Sequence, residues 1–173
     1  QGKILGCIPG FYHLSCGEVF RNLDMSSELG KTFLQYSSKG LLVPDDLTVR
    51  IYKRHIQILE LSDYLIRDRH TLVLDGLPRN LHQAEMLDTM LEVAQIFHLK
   101  IDDEEKAKER LRVRAINENR LDDTNDEVIR RRLKTYQEET FTTLGFYDPK
   151  LIYDIEASRA PLDVLKSIVN RLC

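Results

Sequence analysis

One run of residues restricts the possible folds of this chain more than any other: Leu72-Val73-Leu74-Asp75-Gly76-Leu77-Pro78-Arg79, followed by Asn80-Leu81-His82-Gln83. Thr71 to Leu74 is the short apolar run of a buried strand, which Gly76 and Pro78 break. Leu81, Ala84, Leu87 and Leu91 then recur at helical spacing, so the segment reads strand, turn, helix. In open α/β sheets ligands sit at the carboxyl ends of strands. At such an end Arg79 suits an anion, Gln83 a base edge and Asp75 a metal ion. Alternatively, the same polar residues only cap and solvate the turn.

The rest of the chain repeats that alternation. Gly2 to Ile8 reads as a short helix stopped by Pro9-Gly10, and Phe11 to Leu14 as a buried strand. Ser15 and Glu18 have capping-box spacing. Val19 to Leu23, Ser27 to Ser37 and Pro44 to Asp63 read as helices, with a break at Lys39-Gly40. Val93 to Leu99 is a third strand, Asp103 to Arg114 a charged helix, and Thr124 to Glu127 a second capping box opening a helix through Thr140. A strand over Leu151 to Ile155 and a helix over Pro161 to Leu172 close the chain. Unbroken apolar strands alternating with helices predict an α/β fold, a parallel sheet flanked by helices on both faces. The extra helices between the first two strands predict a small helical lobe.

At 173 residues the chain is long enough for one domain, and its 42% hydrophobic content and net charge of −3 suit a globular protein. No apolar run is long enough to cross a membrane, and nonspecific nucleic-acid binding is not expected. Cys7, Cys16 and Cys173 lack metal-ligand spacing and suit a reducing, cytoplasmic setting.

Seven arginines lie between Glu109 and Leu133. Arg110 and Arg114 are four apart on one helix face, Arg120 follows on a polar loop with Asp122 and Asp123, and Arg130, Arg131 and Arg132 come next. Converging guanidiniums suit a ligand with several phosphates. The competing reading is a solvated charged surface, and for Arg112, Arg130 and Arg131 that reading is preferred. Gly30-Lys31-Thr32 imitates the end of a P-loop, but Met25 stands where its first glycine belongs and no strand precedes it. His13 reads as a hydrogen-bonded structural residue. Cys16, at a helix start, has no catalytic partners readable around it.

Taken together these segments resemble the adenylate kinase family of nucleoside monophosphate kinases. His13-Leu14-Ser15-Cys16-Gly17-Glu18 with Arg21 is similar to that family's H-L-S-T-G-D…R element. Lys39-Gly40-Leu41-Leu42-Val43-Pro44 resembles its G-x-L-V-P turn, and Asp75 to Arg79 its D-G-F-P-R signature, with Gln83 at the following glutamine. Arg110, Arg114, Arg120-Leu121-Asp122-Asp123, Arg132 and Tyr136 follow the spacing of its lid region. The resemblance implies a P-loop-kinase-like domain over residues 1–173, with a monophosphate-binding lobe near 15–44 and a short lid near 114–124. It implies Mg²⁺-dependent phosphoryl transfer from ATP to AMP by a monomer. AMP would meet Ser15, Cys16, Arg21, Gly40, Leu42, Val43, Gly76, Arg79 and Gln83. ATP would meet Arg110, Arg114, Arg120 and Ala157. Arg79, Arg114, Arg120 and Arg132 would act on the transferring phosphates, with Mg²⁺ near Asp75 through water and near Asp122.

Departures from the pattern are Cys16 for threonine, Glu18 for aspartate and Leu77 for phenylalanine. Asn80 after Arg79 is also similar to the UMP/CMP kinases, but those carry asparagine where Gln83 stands, so AMP is the expected acceptor. The family begins with a strand and a glycine-rich phosphate loop ending G-K-G-T, and Gln1 falls just after that point. An omitted N-terminal segment is therefore expected, and the 173 residues alone are expected to be inactive. A nucleotide-binding protein without catalysis is the alternative.

Overall fold

In the computed structural model the described residues are 1–39, 41–117 and 125–172. Four strands alternate with eight α-helices among them: α1 (Gly2–Leu5), β1 (Phe11–Ser15), α2 (Cys16–Arg21), α3 (Glu28–Ser37), α4 (Asp45–Leu61), β2 (Thr71–Asp75), α5 (Leu81–Asp88), β3 (Ile96–Lys100), α6 (Glu104–Asn117), α7 (Asp126–Thr135), β4 (Ile152–Glu156) and α8 (Pro161–Leu172). β1 pairs with β2 and β3 with β4, both parallel, in registers that place Ser15 beside Asp75 and His98 beside Asp154. Among the described residues the two ladders share no hydrogen-bonded strand. They are joined by packing instead: Val73 of β2 and Phe97 of β3 both lie on the core of Leu5, Ile155, Val164 and Ile168.

A second core lies between β1, the helical lobe and α5, built on Leu14, Phe20, Phe33, Tyr52, Ile56 and Leu87. Phe20 stacks on Phe33 at 5.3 Å and so fastens α2 to α3. Tyr52 is wholly buried, and its hydroxyl donates to the Leu14 carbonyl at 3.1 Å. Burial holds that phenol far above its ordinary pKa, helped by the nearby Cys16 and Asp75. On the other side α1 lies against β1. A Cβ on Gly2 or on Gly6 would come within 2.5 Å of His13, so the absence of a side chain lets the helix approach. Gly30 serves the same purpose inside α3, where a Cβ would collide with the backbone of Asp24 and Met25. The imitation P-loop is thus a packing glycine within a helix.

Two caps differ from the expected ones. Ser15 is the N-cap residue of α2 but makes no side-chain cap, and Glu18 reaches Lys3 of α1 at 2.5 Å instead. α7 is capped by Asn125, whose Oδ1 accepts from the Glu127 amide; the expected capping residue Thr124 lies outside the described residues. The helix expected to run through Thr140 also changes hand-hold at Thr135. A one-turn π-helix, Tyr136–Thr140, follows α7, and a 3₁₀-helix, Phe141–Phe146, follows that.

Candidate functional site

The carboxyl ends of β1 and β2 lie side by side, so Ser15-Cys16 and Asp75-Gly76 meet. Gly76 takes φ +80°, where a side chain is strained, and a Cβ there would meet Arg79 Nη2 at 3.0 Å and Cys16 Cβ at 3.5 Å. The turn therefore needs glycine for both backbone and space. It returns the chain so that Arg79 Nε donates to the Gly76 carbonyl at 2.8 Å, through the cis Leu77–Pro78 peptide. From the other strand end, the Arg21 guanidinium folds over Gly17, within 2.8 Å of where a Cβ would be. Arg79 and Arg21 both act electrostatically on the Cys16 thiol, yet burial outweighs them and raises its pKa. Arg79 at Gly76 and Arg21 at Gly17 thus flank the buried Cys16 at the parallel strand ends, an arrangement that suits an anion.

Gln83, expected to meet a base edge, is turned inward in this structure. It is 1% exposed, its Oε1 accepts from the Arg79 amide at 2.8 Å, and its Nε2 donates to Asp45 Oδ1 at 2.7 Å. Asn80 caps α5 by accepting from the Gln83 amide and donates to both Asp45 oxygens at 2.9 and 3.0 Å. Asp45, at the start of α4, is a residue that the sequence pattern did not single out. Its only signal was a carboxylate in the first turn of a helix, where the dipole welcomes it. Val43 packs on the core beside this network, Leu42 is half-buried next to it, and Gly40 lies outside the described residues.

Asp75 ends β2 with a largely exposed carboxylate, and His13 Nε2 is 3.4 Å from it. One exposed carboxylate beside a phosphate site fits Mg²⁺, which keeps most of its waters and takes one or two carboxylates with substrate phosphates. Among the described residues no cluster of three His, Cys, Asp or Glu could hold a metal ion by itself. Asp122 lies outside the described residues, as does Arg120.

The second arginine group is assembled from farther apart. Arg110 Nη2 donates to the Arg159 carbonyl at 2.6 Å, which brings it to the turn after β4 that holds Ala157. Ala157 is buried, its amide donating to Lys100 at the end of β3. Arg114 lies one turn along α6, and Arg132 is half-buried on α7. Arg112 grips Asp126 through three contacts of 2.9 to 3.0 Å and ties α6 to α7. Arg131 donates to the Lys39 carbonyl at 3.0 Å, joining α7 to the helical lobe. The surface reading holds for Arg112 and Arg131 as regards exposure, but both hold elements together. Thr140 Oγ1, also unforeseen, donates to the Arg79 carbonyl at 2.8 Å. A cavity of about 1100 Å³ between β1, α2, α3 and α4 is lined by Ser15 but by neither Arg79 nor Gln83.

Parallel strands alternating with helices define an α/β protein with two arginines at its strand ends. The comparisons narrow this. A model of the adenylate kinase family matches residues 5–152. The chain is 38% identical over 166 residues to an adenylate kinase of Thermobifida fusca, covering 91% of this chain and 82% of the relative. An adenylate kinase of Prochlorococcus marinus subsp. pastoris is 34% identical over 164 residues, covering 91% and 81%. One of Corynebacterium urealyticum is 27% identical over 173 residues, covering 99% and 91%. The chain belongs to the adenylate kinase family.

Proposed function

We propose that this chain supplies the acceptor site and the donor-side arginines for the family's reaction, reversible phosphoryl transfer from ATP to AMP giving two ADP. The observation that carries the reading is the placing of Arg21 and Arg79 at the strand ends, beside Gly17 and Gly76. Phosphoryl transfer is mostly positioning and charge neutralisation, so a pre-tethered Arg79 gives an acceptor phosphate a fixed partner at little further ordering cost. Arg21 offers a second fork to the same phosphate. Arg114, Arg120 and Arg132 grip the transferring groups, and Arg110 beside the Ala157 turn holds the donor base. Mg²⁺, carried near Asp75 through water, neutralises charge on the donor phosphates when bound. In this reading residues near 15–44 form the monophosphate lobe and those near 114–124 a short lid. The protein acts as a monomer in the cytoplasm, a setting that its free Cys7 and Cys16 suit.

The acceptor base is read as adenine. Asn80, the feature shared with UMP/CMP kinases, is committed at both ends, to Asp45 and to the Gln83 amide. Gln83 is likewise committed, to the Arg79 amide and to Asp45, so the adenine reading rests on the family match and not on a free amide at this position. A coupled assay of ADP formation with AMP, CMP and UMP as acceptors tests this. AMP is expected to give two ADP per ATP consumed. Preference for CMP overturns the base assignment, and no acceptor-dependent turnover even with the family's glycine-rich phosphate loop joined ahead of Gln1 overturns the enzymatic reading.

A further inference from the structure

The π-helical turn Tyr136–Thr140 is held at both ends by side chains that the site above does not use. At its start, the Tyr136 hydroxyl lies 2.5 Å from His98 Nε2. His98 Nδ1 lies 2.8 Å from Asp154 Oδ1, and the imidazole is 9% exposed. A carboxylate only accepts, so Nδ1 carries a hydrogen, and in the neutral ring Nε2 is the acceptor for the phenol. The ring also stacks on Tyr136, centroids 6.4 Å apart, and meets Phe141 at a tilt of 50° and 5.7 Å. Lys100 faces the same carboxylate at 3.4 Å. At the other end of the turn, Thr140 Oγ1 donates to the Arg79 carbonyl.

The two anchors lead to opposite halves of the site. Tyr136 follows Arg132 by four residues, one helical turn, so fixing its ring fixes the end of α7 that carries Arg132. Thr140 touches the backbone of Arg79 itself. A π-turn inside a helix is rare and adds one residue per turn, which is what lets both ends reach their partners. We propose that the π-turn is a rigid bridge setting the spacing of Arg132 and Arg79, with His98, Tyr136 and Thr140 as positioning residues. This rests on the phosphotransfer reading, because the two arginines are assigned there to the transferring and acceptor phosphates. Displacing either arginine by a fraction of an ångström costs rate more than substrate affinity, since alignment is felt most in the transition state.

Tyr136→Phe and Thr140→Val remove one hydroxyl each and keep shape, and Thr140→Ser restores the second. Each deletion is expected to lower kcat by about tenfold while KM for ATP and AMP changes by less than about threefold. Thr140→Ser is expected to recover most of the loss. The double variant is expected to lose less than the product of the two single losses, because both act through one bridge. Hydrogen exchange over residues 126–140 reads the anchoring without turnover and should quicken in both single variants. Unchanged exchange overturns the bridge whatever the activity. Loss in KM alone, or no recovery in Thr140→Ser, also overturns it. A protein with the family's phosphate loop joined ahead of Gln1 but without AMP-dependent turnover overturns the enzymatic reading instead, and the bridge then stands or falls on the exchange result.

Discussion

The acceptor side and the donor side of this site are built in opposite ways. Around Arg79 a local set, Gly76, Asn80 and Gln83, bonds to one another or to Arg79, and Asp45 and Thr140 brace it from distant elements. Around α6 and α7 the contacts are long-range: Arg110 to Arg159, Arg112 to Asp126, Arg131 to Lys39. Local hydrogen bonds to buried groups hold one arginine in place before any ligand arrives. One exposed ion pair and two exposed hydrogen bonds to backbone carbonyls join these elements more loosely. Pre-organisation on one side and adjustability on the other suit an enzyme that must admit two nucleotides and then exclude water.

If the acceptor side is the rigid one, Arg79→Ala should do the most damage. A loss of about 10²–10³-fold in kcat/KM with AMP is expected from steady-state kinetics. A loss under fivefold would remove the contrast between the two halves. Gly76→Ala should come next, because a side chain at φ +80° meets Arg79 and Cys16. Urea denaturation is expected to show a cost of about 1–3 kcal/mol. Tyr52→Phe strands the buried Leu14 carbonyl and is expected to cost about 1–3 kcal/mol in the same measurement.

Cys16 gives a pH test of the same packing. Its folded pKa lies above the ordinary thiol value of 9.0 because burial disfavours the thiolate. A raised pKa stabilises the fold below the unfolded value, and that contribution is lost as pH rises through the folded value. Stability is therefore expected to decline above pH 9, and less so in Cys16→Ser. Alkylation at pH 8 should modify the exposed Cys7 and spare Cys16. The smallest effect belongs to the donor side. Asp126→Asn weakens an exposed ion pair, and the melting temperature should stay within the scatter of wild type. A clear drop would show that α6 and α7 are as firmly built as the acceptor turn.

Much of the fold was legible because its signals are short-range. All four strands, the Gly76 turn and the helices of the lobe fall within a few residues of the expected bounds, since each follows from apolar runs and breakers a few residues apart. The capping residues were less legible. Ser15 and Glu18 have the right spacing, but Lys3 of another helix takes Glu18, and no pattern within α2 announces that competitor. The arginine cluster showed its composition in the sequence but not its pairing. Which arginine faces a carbonyl and which a carboxylate depends on how α6 and α7 lie against each other.

By itself, then, the sequence determined the strand–turn–helix at Leu72 to Gln83 and the placing of Arg79 at its strand end. Those depend on φ preferences, caps and spacing that act within one turn of chain. Only the tertiary structure decided that Gln83 turns inward to Asp45, that His98 joins Asp154 to Tyr136, and that Thr140 holds the Arg79 backbone. Each of those bonds spans 38 to 61 residues. A polar side chain buried by packing takes whichever partner the fold brings within reach, and that choice is made by the register of distant elements.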